Sequence, residues 1–175
     1  MSQGGLVALR FALRYPQRTA GLVLIDTQSG TEDPEKALQY DLMHDVWVNS
    51  GPNEQLLEMV AAIIIGNHRP ESARWVAKWK AMDPALLTQI YRTLMDRDDI
   101  TERIGDIQAP ALVIHGVDDV ATDIALAEAL CRRLRNCHGL VRVEGAGHAS
   151  NLTHPDPVNR EVARFLVEIS ERQPA

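Results

Sequence analysis

Two uninterrupted apolar runs constrain this chain more than any other feature. They are Gly21-Leu22-Val23-Leu24-Ile25-Asp26 and Ala111-Leu112-Val113-Ile114-His115-Gly116. A strand with one solvated face alternates apolar and polar residues. A run without alternation suits a strand buried on both faces, as in a parallel sheet covered by helices. A third run, Leu140-Val141-Arg142-Val143-Glu144-Gly145, alternates more and is expected nearer an edge. Helical periodicity lies between and after these runs. Residues 4–15 place Leu6, Leu9 and Leu13 on one side, widened by Val7 and Phe11, and Tyr15-Pro16 ends the pattern. Residues 123–134 and 157–171 are also amphipathic, the first with Thr122 or Asp123 as N-cap. Strand and helix in alternation imply parallel pairing through right-handed crossovers. The expected fold class is therefore α/β, with a parallel sheet of about three strands.

The middle of the chain is different. From about Ser29 to Gly105 there is no strand signal, and helices are predicted over 33–48, 53–65, 70–81 and 84–97. Pro34, Pro52, Pro70 and Pro84 fall near the predicted helix starts, where proline is tolerated. Trp47, Trp75 and Trp79 lie here, with Met43, Met59, Met82 and Met95. The expected organisation is a core built from residues 1–29 and 106–175, with residues 30–105 as an all-helical lid over a pocket. The plainer reading of most of these aromatics is that they form the insertion's own core. Asp96-Arg97-Asp98-Asp99 is expected to be a solvated salt-bridge cluster at a helix end.

A net charge of −6 argues against a nucleic-acid binder, and no polybasic stretch offers itself to an anionic membrane. The longest aliphatic run, Met59 to Ile65, is too short to span a bilayer, and the N-terminus lacks a basic leader with an apolar run. A cytoplasmic location is expected. Cys131 and Cys137 are too few for a disulfide framework and are read as free thiols in a reducing compartment. His44, His68, His138 and His154 show no metal-ligand spacing, and no phosphate-binding glycine loop occurs. Neither a metal nor a cofactor is expected.

Three loops carry candidate chemistry. Met1-Ser2-Gln3-Gly4-Gly5 reads as the second part of a G-x-S-x-G elbow, in which small neighbours let a serine sit on a tight strand-to-helix turn. The helix behind it points its positive end at a developing oxyanion, with the Gln3 amide as one donor. Serine before glycines also fits a simple helix N-cap. His115-Gly116-Val117-Asp118-Asp119 puts acids directly after a buried strand, where open α/β sheets place their sites. Solvated loop acids fit equally well. Gly145-Ala146-Gly147-His148-Ala149-Ser150 sets a histidine among small residues after the third strand. Taken singly, each loop is weak. Together they give the order Ser, Asp, His, each between strand and helix, which differs from the chymotrypsin and subtilisin orders. Asp26, closing the first run, is assigned a capping or turn role.

The sequence resembles the α/β-hydrolase superfamily, in the branch of 3-oxoadipate enol-lactonase-like and related carboxylic-ester hydrolases. The resemblance rests on Ser2-Gln3-Gly4-Gly5, on Tyr15-Pro16 followed by Leu22 to Asp26, on Ala109-Pro110 before Leu112 to Gly116, and on Gly147-His148 with Asn151-Leu152 and Pro155. It implies Ser2 as nucleophile, His148 as general base and Asp119 as acid, with Asp118 as the alternative. It implies a small-molecule ester or lactone as substrate. In the family the first half of the sheet and a second oxyanion donor precede the elbow, so the chain is expected to be N-terminally truncated. An uncovered apolar strand is an aggregation hazard. A homo-oligomer, such as a homodimer, is therefore expected, pairing near Leu22–Ile25 or burying the Leu6/Leu9/Leu13 face. The competing expectation is a fragment with weak or no catalysis that only binds or self-associates.

Overall fold

The computed structural model describes residues 1–66 and 68–171. The last residues of the expected core segment, 172–175, lie outside the described residues. In chain order the elements are α1 (Gln3–Arg14), β1 (Leu22–Ile25), α2 (Pro34–Ser50), α3 (Glu54–Ile64), α4 (Arg69–Ala81) and α5 (Leu86–Met95). They continue with β2 (Ala111–Gly116), α6 (Ile124–Arg133), β3 (Cys137–Val143), α7 (Ser150–Thr153) and α8 (Pro155–Glu171). Short 3₁₀ turns cover Pro16–Arg18 and Thr101–Asp106. The chain divides into two compact units, Met1–Ser29 with Ile100–Ala175, and Gly30–Asp99.

The first unit is a three-layer α/β arrangement. Its parallel sheet runs β1-β2-β3, with Leu22 opposite Ala111, Ile25 opposite Ile114, and Gly116 opposite Val143. Alternate residues of β2 enter two separate cores. Ala111 and Val113 pack with Leu9 and Ala12 of α1 and Ala127 and Leu130 of α6. Leu112 and Ile114 pack with Val158, Phe165 and Ile169 of α8. Both faces are thus covered, which is the physical cause of the unbroken apolar run. β3 begins three residues before its expected start. The bond ladder reaches Cys137 through a register irregularity opposite Ala111/Val113, where Gly139 has φ 122°. A glycine in that conformation hides the strand from a pattern of β-branched residues.

Three sequence expectations are corrected here. Cys131 and Cys137 are not free thiols. The last turn of α6 and the first residue of β3 bring their Cα atoms within 5.6 Å, and the sulfurs are joined in a disulfide. Leu6 and Leu9 are buried in the unit's own interior, so that face of α1 is not available for self-association; the exposed apolar residues of α1 are Val7 and Phe11. Arg97 is not solvated. Its guanidinium is buried, donating to the Gly30 and Leu94 carbonyls and reaching Glu32 at 3.3 Å. It ties the start of the helical unit to its end.

The helical unit has an interior of its own. Trp47, Leu56 and Leu57 are buried together, flanked by Met43, Val76, Trp79 and Met82. Asp33 caps α2 by accepting from the Glu35 and Lys36 amides, and Asn53 caps α3 through the Leu56 amide. Among the described residues no helix is long and apolar enough to cross a membrane.

Candidate active site

Ser2 is held in a backbone conformation that only glycine adopts easily, with φ 49° and ψ −126°. It persists because neighbouring bonds fix it on both sides. The Ser2 amide donates to the Ile25 carbonyl at 2.9 Å, and the Thr27 hydroxyl donates to the Ser2 carbonyl at 2.8 Å. α1 starts at the next residue, so the Gln3 amide lies at the positive end of that helix. A Cβ on Gly5 would sit 2.6 Å from the Thr27 side chain, so the close approach of α1 to the β1 exit requires glycine there.

Asp119 follows the C-terminal end of β2. Its Oδ1 accepts from the amides of Ala121 at 2.8 Å and Thr122 at 2.9 Å, which fixes the carboxylate plane. Its Oδ2 lies 2.9 Å from His148 Nδ1. The neighbouring Asp118 is exposed, so of the two candidate acids only Asp119 meets the histidine. The acid loop and the histidine loop lie almost in contact. A Cβ on Gly116 would fall 2.3 Å from the Gly147 carbonyl oxygen and 2.4 Å from that of Ala146.

His148 is buried and bonded through both ring nitrogens. A carboxylate can only accept, so Nδ1 carries the proton and donates to Asp119. Nε2 is therefore an acceptor, 2.8 Å from Ser2 Oγ. The sequence-predicted Ser2, His148 and Asp119 thus form one continuous hydrogen-bonded chain. A hydroxyl facing an unprotonated imidazole nitrogen can lose its proton as it attacks an electrophile. The imidazolium so formed would be stabilised by the carboxylate behind it.

Burial alone would push the Asp119 carboxyl upward. The hydrogen bonds from His115 and His148, the charge of His148 and the Thr122 amide outweigh it and hold the group well below the carboxylate range. The sign of the pH dependence follows. A depressed folded-state pKa contributes stability that is present above the ordinary value of 3.8 and is lost as pH falls through the folded value. The chain is expected to lose stability on acidification below about pH 4. Asp119→Asn should flatten that loss, which denaturant midpoints measured along an acid pH series would show.

Two polar residues have a larger part in the site than the sequence assigns them. Asp26 is fully buried with φ 48°. Its Oδ1 accepts from the Gly116 amide at 2.9 Å, and its Oδ2 from the amide and hydroxyl of Ser150 at 3.0 and 2.7 Å. It bridges the exits of β1 and β2 to the histidine loop, which is more than a local turn. Burial raises its carboxyl above the ordinary range, against the hydrogen bonds from Ser150 and Gly116. His115 is also fully buried, with Nε2 2.8 Å from the Thr122 carbonyl and 3.1 Å from Asp119 Oδ2. The only sequence signal for either was an acid or imidazole at the end of an otherwise apolar run. One ligand atom each of Asp26, His115 and Asp119 lies within 4.8 Å of the others, a spacing that a metal ion could use. Their carboxylate oxygens already accept from protein donors, which accounts for the cluster without an ion.

A family model described as serine aminopeptidase, S33, matches residues 1–151. The chain belongs to this α/β-hydrolase family. Among the relatives of this α/β-hydrolase is the protein named "Putative carbamate hydrolase RutD" of Pseudomonas syringae pv. syringae. It is 32% identical over 170 residues, covering 93% of this chain and 64% of the relative. A pimeloyl-[acyl-carrier protein] methyl ester esterase of Aromatoleum aromaticum is 31% identical, covering 89% of this chain and 67% of that protein. A thermophilic esterase of Thermogutta terrifontis shares the fold, with a TM-score of 0.85 at 24% identity over 97% of this chain and 63% of its own. This α/β-hydrolase chain therefore spans somewhat under two thirds of the RutD relative's length.

Proposed function

We propose that the chain is a serine hydrolase of carboxylic esters or lactones. The observation that carries this reading is the unbroken Ser2–His148–Asp119 chain, with 2.8 Å between Ser2 Oγ and His148 Nε2. Ser2 Oγ attacks the ester carbonyl carbon while His148 Nε2 takes the hydroxyl proton. The carbonyl oxygen becomes an oxyanion facing the start of α1, where the Gln3 amide is one donor. Asp119 keeps the imidazole in the Nδ1–H tautomer and stabilises the imidazolium. Collapse of the tetrahedral species breaks the bond to the leaving alkoxide, which receives the proton from His148. Water, deprotonated by the same nitrogen, then attacks the acyl-enzyme and releases the acid. No cofactor enters this sequence.

The methyl ester esterase named among the relatives supports an ester as substrate. The helical unit is assigned the role of a substrate-selecting lid. Its place in the chain between β1 and β2 supports that role, as do the exposed apolar residues Leu38 and Leu42 on α2 and Leu86 and Ile90 on α5. Turnover of a short p-nitrophenyl ester, against Ser2→Ala as control, tests the reading. Equal rates would remove the serine from the mechanism and leave a chain that only binds.

A further inference from the structure

We propose that His115 is a positioning residue that sets how strongly Asp119 acts on His148. The inference rests on the serine-hydrolase reading for its catalytic meaning, but its physical content is independent of turnover. His115 occupies the second-to-last position of β2, with no exposed surface, in a strand whose other residues are apolar or glycine. Burying an imidazole there is costly unless its polar atoms are used. Only Nε2 is used. It stands 2.8 Å from the Thr122 carbonyl, which can only accept, so the Nε2 atom bears the proton. The same atom lies 3.1 Å from Asp119 Oδ2, the oxygen that receives His148 Nδ1–H. Among the described residues Nδ1 is buried without a hydrogen-bond partner, so the ring is retained for its Nε2 side.

Asp119 is therefore fully subscribed. Oδ1 takes two backbone amides, and Oδ2 takes the His148 Nδ1–H and has the His115 Nε2–H 3.1 Å beside it. The partial positive charge of the His115 Nε2–H beside Oδ2 draws negative charge away from His148. It limits how far the carboxylate stabilises the imidazolium, and it limits sideways movement of the oxygen. The Thr122 carbonyl bond fixes the same loop from its far end. The other charged group facing this cluster is Asp26, at the exit of β1, and it remains in place when His115 is changed.

The readout is the His148 Nδ1–H proton resonance, followed by NMR as a function of pH in the full chain. In His115→Leu, Oδ2 loses the neighbouring Nε2–H and becomes a stronger acceptor for the imidazolium. The midpoint of that titration should move to higher pH by about half a unit to one unit relative to wild type. In His115→Gln, an amide N–H replaces the Nε2 donor, and the midpoint should return toward the wild-type position. A role in packing alone would lower thermal stability in both variants and leave the midpoint unmoved in both, which would overturn the proposal. If His115→Leu does not fold, His115→Phe, which keeps a ring but has no donor, takes its place: an unmoved midpoint there overturns the proposal, as does an upward displacement in His115→Gln despite the restored donor. Because the resonance is read without substrate, a chain that hydrolyses no ester would fail the serine-hydrolase reading and still answer this test.

Discussion

Ser2→Ala should lower kcat for a short p-nitrophenyl ester by about 10⁴-fold or more, with the fold intact. The expected size reflects what the serine alone provides. Without Oγ there is no acyl-enzyme, and the remaining route is attack by water on an ester held near the start of α1. His148→Ala should cost a similar factor, and the double variant little more than either. Residues that act as one hydrogen-bonded chain are strongly non-additive. Among the described residues, the hydroxyl removed by Ser2→Ala is hydrogen-bonded to His148 Nε2, whereas the backbone bonds to Ile25 and Thr27 persist. Circular dichroism and the denaturation midpoint should therefore change little while the rate falls.

Asp26→Ala should have the largest effect on stability, about 3 kcal/mol, read from urea unfolding. The substitution leaves the Gly116 amide and both donors of Ser150 without their acceptor in a fully buried site. Each buried donor left unsatisfied costs about 1–3 kcal/mol, partly offset by removing a carboxyl that burial already disfavours in its charged form. Asp26→Asn should cost less, because one carbonyl oxygen still accepts. The pH dependence has the opposite sign to that of Asp119. Because its folded pKa is raised, Asp26 favours the folded state most below the ordinary value of 3.8, and that contribution is lost as pH rises through the folded value. Activity should fall as well, since the flanking residues hold Ser2 in place: Ile25 accepts the Ser2 amide, and Thr27 donates to the Ser2 carbonyl.

Much of the core was legible because burial on both sheet faces leaves a mark in the sequence. The run from Ala111 to Gly116 corresponds to β2 residue for residue, and the run around Leu22–Ile25 contains β1. Where a strand lacks that mark, the reading slipped: β3 starts at Cys137 and carries Gly139, and neither residue signals a strand. The disulfide was missed because spacing alone does not reveal that a short turn folds β3 back beside the end of α6. Arg97 was misread because it sits among exposed acids in sequence, while its burial depends on carbonyls at Gly30 and Leu94. The candidate site was legible as three loops in a meaningful order. The resemblance favours Asp119 over Asp118, but the residues themselves do not separate the two, since adjacent residues in a loop differ only in which way the turn aims them. Asp26 and His115 were hidden for another reason. Their partners are backbone amides, a backbone carbonyl and a serine brought together only when the sheet forms.

The central claim is that Ser2 is a nucleophile activated by His148. The most direct measurement is labelling of the folded chain with a fluorophosphonate probe, followed by intact mass and peptide mapping. The account predicts one adduct per chain, on Ser2, absent in Ser2→Ala and not formed when the wild type is unfolded before the probe is added. A folded chain that takes no label, or takes it at another residue with Ser2 unmodified, would contradict it.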